Sequence, residues 1–440
     1  MATTTPSSEP GRQVVIVGGG AGGLELAAKL GGLHGRDRIT LVDSRPFHIW
    51  KPSLHEAAAG TLDIHQEGLS YPMLAHLRGF TFAQGELLAV DRTARTVRIG
   101  AVAAPDGQVV LPERELAYDV LVLAIGSVSN FFNTPGAAEH AVTLDTTEGA
   151  EQFRLTMLKA MAQIDQAKVR DPSARLDLVI VGGGATGVEL AAELNEASHV
   201  VTAYGLRHFH ADRDLAITLV EGAPRLLSAL PVKLAQAAHA RLIALGIRVE
   251  TDCRVAEVTA NSVRTADGRE FPATLCMWAA GIKGPSVLAQ LDLPLNRMGQ
   301  LELNERLESA DPHILALGDC SAVPWTDGRT VPARAQAAHQ QADYLAAKIT
   351  ARLRGRPEPT EPYVYRDHGS LVSLGQDAGV GSLMGKLAGR GLFVSGTLAR
   401  LMYMSLHLMH HRAVLGISRT ATMALARLLM RRTRPRVKLH

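Results

Sequence analysis

The chain has 440 residues, 46% apolar and 20% charged, which suits a globular protein of two or three well-buried domains and neither a disordered nor a fibrous one. Its overall charge of +3 hides a segregation. No Asp or Glu follows Asp377 but eleven Lys and Arg do, so the last 63 residues carry +11 and the first 377 carry −8. Such a tail predicts contact with an anionic surface, membrane or nucleic acid.

The first element is Gln13–Ala28, read as a buried strand at Val14–Val17, a glycine turn and an apolar helix start. Its glycines, Gly18, Gly20 and Gly23, fit G-x-G-x-x-G. In that motif the first glycine makes the turn and the second admits a pyrophosphate to the helix N-terminus. The third lets strand and helix pack. Leu176–Ala192 repeats the pattern with strand Leu178–Val181 and glycines Gly182, Gly184 and Gly187, 164 residues on. One match is weak; two in strand–turn–helix context predict two dinucleotides, a flavin and a nicotinamide, and therefore redox chemistry.

Between the repeats, Asp43 ends a strand begun at Arg38, where a carboxylate accepts hydrogen bonds from an adenosine ribose or, equally, caps a turn. Lys51, preceding Pro52, is expected in extended backbone. Phe80–Val110 reads as an antiparallel excursion with turns at Thr93-Ala94 and Asp106-Gly107. Strand Tyr118–Gly126 returns to the parallel sheet, and Ala150–Val169 is a helical connector.

After the second glycine turn, Asn195–Leu215 reads as a polar insertion before strand Ala216–Glu221. Glu221 occupies the ribose position, and its charge favours NADH over a 2′-phosphorylated nucleotide, although Arg225 is near enough to soften the preference. Leu234–Leu245 is a helix and Asp267-Gly268 a hairpin turn. Thr274–Gly281 resembles Leu121–Gly126, so Gly126 and Gly281 are matching turns. His313–Asp319 delivers an aspartate just past a glycine. Gln336 and Gln340 share a helix face, to hydrogen-bond carbonyl oxygens of a substrate or flavin or to face solvent. Arg354–Pro362 has linker composition. In the tail, Thr420–Arg432 sets Leu425, Leu428 and Leu429 beside a basic stripe of Arg427, Arg431, Arg434 and Lys438, as for a helix in a membrane interface or packed in a dimer. No stretch offers ~18 uncharged apolar residues. Met1–Arg12 lacks the apolar core of a secretory signal. Cys253, Cys276 and Cys320 form no C-x-x-C, which argues against a disulfide scaffold or zinc site and fits a reducing compartment.

These segments together resemble the type II NADH dehydrogenases, single-subunit NADH:quinone oxidoreductases of the two-dinucleotide-binding flavoprotein superfamily. VVIVGGGAGGLELA, YDVLVLAIGSVSNFF, VIVGGGATGVELAAEL, ILALGDCS and ARAQAAHQQ carry the resemblance, which runs from Val14 to the C-terminus. It implies an α/β fold of two Rossmann-like domains of glutathione-reductase type plus an amphipathic C-terminal membrane-anchoring region. The expected division is FAD domain 12–150 and 286–362, NADH domain 151–285, and membrane or dimer region 363–440. FAD is implied at Gly18, Gly20, Gly23, Asp43, Lys51, Gly126 and Asp319, and NADH at Gly182, Gly184, Gly187, Glu221 and Gly281. Gln336 and Gln340 would face a quinone, and Glu189 would position the nucleotide or relay a proton. Ile125 in place of a common threonine, and Trp50-Lys51-Pro52, depart from the family pattern. The implied partners are a quinone and an anionic membrane, with no nucleic acid, a homodimer as a further expectation, and a peripheral place on the cytoplasmic face. A sulfide:quinone oxidoreductase, a disulfide reductase and a non-catalytic redox sensor are the competing readings.

Overall fold

The computed structural model describes residues 12–375, 379–383, 392–430 and 435–439. The first parallel strands are β1 (Val14–Val17), β2 (Ile39–Asp43), β3 (Thr81–Gln84) and β4 (Val120–Leu123). Strand β5 (Val128–Ser129) leads out of this sheet. A second parallel sheet follows from β6 (Ala141–Thr143), β7 (Leu176–Val181), β8 (Leu215–Val220), β9 (Arg248–Glu250) and β10 (Leu275–Trp278). The chain then returns through β11 (Ile282–Lys283), antiparallel to β5, to β12 (Ile314–Ala316). The sheet orders are β12-β4-β1-β2-β3 and β6-β10-β7-β8-β9. The central strands β1 and β4, and β7 from Leu178 on, read as continuous Val, Ile and Leu because helices cover the sheet faces.

The helices that position the site are α1 (Ala21–His34), α2 (Leu54–Ala59), α3 (Thr147–Ala167), α4 (Ala185–Ala203) and α5 (Ala335–Leu353). Helices α1 and α5 pack closely across glycine: a Cβ at Gly22 would lie 2.9 Å from Ala338 O. Leu24, Leu26 and Leu30 of α1 and Leu345 and Ile349 of α5 are fully buried in the first core, each contributing about 1.5–3 kcal/mol. The second core joins α2, α3 and α4 around Phe153, Leu178 and Leu190.

The fold corrects several expectations. Thr81–Gln84 is no part of an antiparallel excursion; it pairs parallel to β2 as the edge of the main sheet, and the hairpins begin at Leu87. Asn195–Ala203 is not an insertion but the rest of α4, because Leu194, Ala197, Ser198 and Val201 continue the buried stripe at helical spacing. Lys51 opens a short 3-10 turn with Pro52 in its first positions. The segment after Arg354 is pinned rather than a free linker. Tyr363 N donates to Glu305 O at 2.7 Å, and Glu358 takes Arg352 and the fully buried Lys348.

Beyond α5, β13 (Gly369–Ser373) forms an antiparallel sheet with Gly379–Leu383 and Leu392–Ser395. Helices α6 (Thr397–Leu415) and α7 (Ile417–Met430) follow. Among the described residues, no helix is long and apolar enough to cross a membrane.

Candidate active site

Both glycine turns are built alike. Gly18 and Gly182 have φ of +104° and +113°, which favour glycine. A Cβ on Gly23 would lie 1.9 Å from Gly18 O, and one on Gly187 2.0 Å from Gly182 O, so strand and helix meet only through glycine. A Cβ at Gly20 or Gly184 would meet nothing within 4 Å. Open space thus stands at the N-termini of α1 and α4, where backbone N–H groups and the helix dipole attract a pyrophosphate.

The likeness extends to the acids. Asp43 Oδ2 accepts from Gly19 N at 2.7 Å and Oδ1 from Arg45 N at 2.9 Å. Glu221 Oε2 accepts from Gly183 N at 2.5 Å and Oε1 from Ala223 N at 2.7 Å. Each carboxylate braces the turn of its own unit and keeps lone pairs for a ribose hydroxyl, at Asp43 on Oδ1 because Oδ2 also faces Tyr71 OH at 3.5 Å. Burial raises the Asp43 carboxyl, against the lowering effect of the Arg45 and Gly19 amides. The guanidinium of Arg225 donates to Leu227 O, Ser228 O and Leu230 O, which ties it to its own loop.

Asp319 lies in a 3-10 turn after β12, its carboxylate accepting from Ser127 Oγ at 3.1 Å. Lys51 Nζ donates to Ser127 O at 3.0 Å. The structure therefore brings Lys51, Ser127 and Asp319 together beside Gly126.

Glu189 lies in the first turns of α4 and is buried. Its Oε1 accepts from Ser373 N at 2.9 Å, and His55 Nδ1 stands 3.6 Å from Oε2. Burial pushes the Glu189 carboxyl up to about 8 despite the Ser373 amide, with Glu56 and Glu193 adding to the rise. Burial pushes His55 down to about 4. Near pH 7 both are neutral, so their approach is not an ion pair. His55 Nε2 has no hydrogen-bond partner among the described residues.

Gln336 and Gln340 do share one face of α5, but both amides are engaged by the backbone after the turn. Gln336 donates to Gly369 O at 3.0 Å and accepts from His368 N at 3.2 Å; Gln340 donates to Arg366 O at 2.8 Å and accepts from Arg366 N at 3.0 Å. Glu189 holds the far end of the same stretch through Ser373. One extended segment, Arg366–Ser373, thus joins the glutamines of α5 to the acid of α4.

A buried polar chain absent from the sequence reading lies behind the first turn. His410 of α6 meets Glu25 Oε1 of α1 at 2.8 Å and His48 Nε2 at 2.9 Å; His48 Nδ1 meets Gly19 O at 2.9 Å. A carbonyl only accepts, so His48 Nδ1 donates, its Nε2 accepts, and both nitrogens of His410 donate. Burial of Glu25 alone would raise its carboxyl, yet hydrogen bonds from His339 and His410 outweigh it and hold the group at about 2. Partners separated by 362 and 385 residues left no local signal.

The basic stripe is partly neutralised. Arg427 pairs with Glu67, and Lys438 with Asp63 at 3.3 Å and Glu151 at 3.2 Å; Arg431, Arg432 and Arg434 lie outside the described residues. Leu425, Leu428 and Leu429 of α7 are exposed. The three cysteines are buried and free, and burial pushes Cys276 and Cys320 up to about 12, so neither offers a thiolate at neutral pH.

Two braced glycine turns on two parallel sheets define a two-dinucleotide oxidoreductase. The family model described as pyridine nucleotide-disulphide oxidoreductase matches residues 12–342. A type II NADH:quinone oxidoreductase of Haemophilus influenzae is 38% identical over 98% of this chain and 100% of its own length. A demethylphylloquinone reductase of Synechocystis is 32% identical over 88% of this chain and 89% of its own. The structure of NDH2 from Plasmodium falciparum in complex with NADH shares the fold, with a TM-score of 0.79 at 18% identity over 97% of this chain and 100% of that one. The chain belongs to the pyridine nucleotide-disulphide oxidoreductase family and, within it, to the type II NADH:quinone oxidoreductases.

Proposed function

We infer that this chain is an FAD-dependent NADH:quinone oxidoreductase. The observation that carries the nucleotide half is the duplicated, acid-braced glycine turn; the quinone half comes from the relatives named for quinone reduction. The open cradle at Gly20, bounded by Gly18, Gly23 and Asp43, suits FAD, with Lys51, Gly126 and Asp319 beside it. The cradle at Gly184, with Gly182, Gly187, Glu221 and Gly281, suits NADH. On this reading, 12–150 and 286–362 form the FAD unit, 151–285 the NADH unit and 363–440 the membrane region, although the chain enters the second sheet already at Ala141.

Bound FAD supplies two-electron transfer between the nicotinamide and the quinone. The chain itself contributes binding, orientation and protons. Glu221 accepts ribose hydroxyls and repels a 2′-phosphate. Glu189 keeps a proton in a buried site, where it donates a hydrogen bond or passes the proton on. Gln336 and Gln340 shape the quinone wall by holding Arg366–Gly369 against α5. The exposed leucines of α7 support peripheral attachment to an anionic membrane, on the cytoplasmic face where NADH is supplied.

Anaerobic titration of the FAD-loaded chain tests the reading. NADH is expected to bleach the flavin absorbance at much lower concentration than NADPH, sulfide is expected to leave it unchanged, and replacing all three cysteines by Ser is expected to preserve turnover. Bleaching by sulfide and not by NADH would reverse the assignment.

A further inference from the structure

The two units differ at one matching turn. Gly126 follows β4 and Gly281 follows β10, with φ of +71° and +73°. A Cβ at Gly126 would meet nothing within 4 Å; one at Gly281 would lie 2.6 Å from Phe132 Cζ. The Phe132 ring therefore rests on the backbone of Gly281. That backbone adjoins the second glycine turn, since a Cβ at Gly182 would lie 2.6 Å from the carbonyl of Ala279. A ligand lying along Gly182–Gly187 and past the end of β10 meets the ring.

Phe132 is an unusual residue for its place. Its φ is +50° and that of Asn133 is +56°, a left-handed pair without glycine. A bulky side chain adopts that conformation only where the surroundings impose it, and such outliers concentrate at ligand clamps and switches. Here the base of the loop is firmly held. Asn130 Oδ1 accepts from Phe132 N at 2.9 Å, Trp278 Nε1 donates to Asn130 O at 2.9 Å, and Asn130 N donates to Gly281 O at 3.2 Å. Phe132 is 52% exposed and lines an open cavity of about 300 Å³ with Asn130, Glu139 and Lys283. A fixed backbone thus carries a half-free aromatic ring.

We propose that Phe132 is a cover over the nicotinamide-dinucleotide approach at Gly281, displaced each time NADH binds. The proposal rests on the NADH:quinone reading and adds to it a residue that sets NADH affinity. The asymmetry has a physical sense. The resident cofactor's turn at Gly126 carries no cover, while the turn serving a substrate that must come and go does. A closed ring lowers apparent affinity by the fraction of molecules in which the approach is open.

The test uses the FAD-loaded full chain, with calorimetric binding of NAD+ and steady-state oxidation of NADH by a soluble quinone. Phe132→Ala and Phe132→Gly both remove the ring, and the glycine also suits the left-handed backbone. Both are expected to bind NAD+ about threefold or more tightly than wild type and to raise kcat/KM for NADH by a similar factor, with the KM for quinone unchanged. Phe132→Tyr keeps the cover and should stay near wild type. Tightening of less than threefold, or weakening, in flavin-replete Ala and Gly variants would overturn the cover; weakening would make the ring a stacking platform. If wild type neither binds NAD+ nor oxidises NADH, the functional reading falls and the cover with it. Wild-type binding with unaltered variants removes the cover alone.

Discussion

Asp43 and Glu221 perform one task in two copies, and both were legible because each ends a strand at a fixed place after a glycine turn. Their grip on Gly19 N and Gly183 N was not, since a motif names the residue and not the lone pair it spends. Glu189 was legible in identity but not in charge. Its folded carboxyl titrates near 8 against an ordinary value of 4.5, so the folded state keeps a proton that the unfolded chain has lost. Its contribution to stability is full below 4.5 and is lost as pH rises toward 8, by at most about 1.4 kcal/mol per pH unit. Glu189→Gln is neutral in both states. Its melting temperature is therefore expected to gain on wild type from pH 5 to about pH 8 in thermal scans and to level off above that; a gap independent of pH over that range would contradict a buried, protonated Glu189. The glutamines teach the complementary lesson. Their shared face followed from a spacing of four, but their partners at Arg366, His368 and Gly369 lie across a turn that no local period encodes.

At the scale of elements, the sequence showed strands and helices wherever a buried stripe ran unbroken, and misled where polar residues dominated the exposed face. Asn195–Ala203 is the instance: Asn195, Glu196 and His199 suggested a loop while Ala197 and Val201 kept the helix. Helix α6 was harder, because its decisive residue is a buried histidine whose partners come from β2's following loop and from α1. His410 joins α6 to the first glycine turn through Glu25 and His48, so this helix is bolted to that turn by paired charge and hydrogen bonds rather than by apolar contact alone. Removing one partner of a buried pair leaves the other uncompensated. Glu25→Ala is expected to cost about 3–5 kcal/mol in denaturant unfolding. Since the folded Glu25 carboxyl is depressed from 4.5 to about 2, its contribution is present above 4.5 and is lost as pH falls toward 2. The gap between wild type and variant should therefore narrow over that range; a constant gap would mean that Glu25 acts by packing and not by charge.

For the whole molecule, charge segregation located the tail but overstated its free charge, because Arg427 and Lys438 are drawn back to Glu67, Asp63 and Glu151. The membrane attachment proposed above then calls on the exposed leucines as much as on basic residues. Replacing Leu425, Leu428 and Leu429 by Glu touches no core contact and is expected to leave NADH oxidation by a soluble quinone intact while abolishing sedimentation with anionic vesicles; unchanged sedimentation would reject α7 as the anchor. The order of strands has a different consequence. Strand β12, which borders β4, is made only after the whole second sheet, and α5, which covers α1, later still. On the ribosome the second sheet can close from one continuous stretch, whereas the first must wait, its β4 edge open, for nearly two hundred residues of intervening chain. The sheet that is encoded later is thus the one able to close first, and the first sheet, though begun at the N-terminus, gains its last strand and the covering α5 only after the second sheet is made.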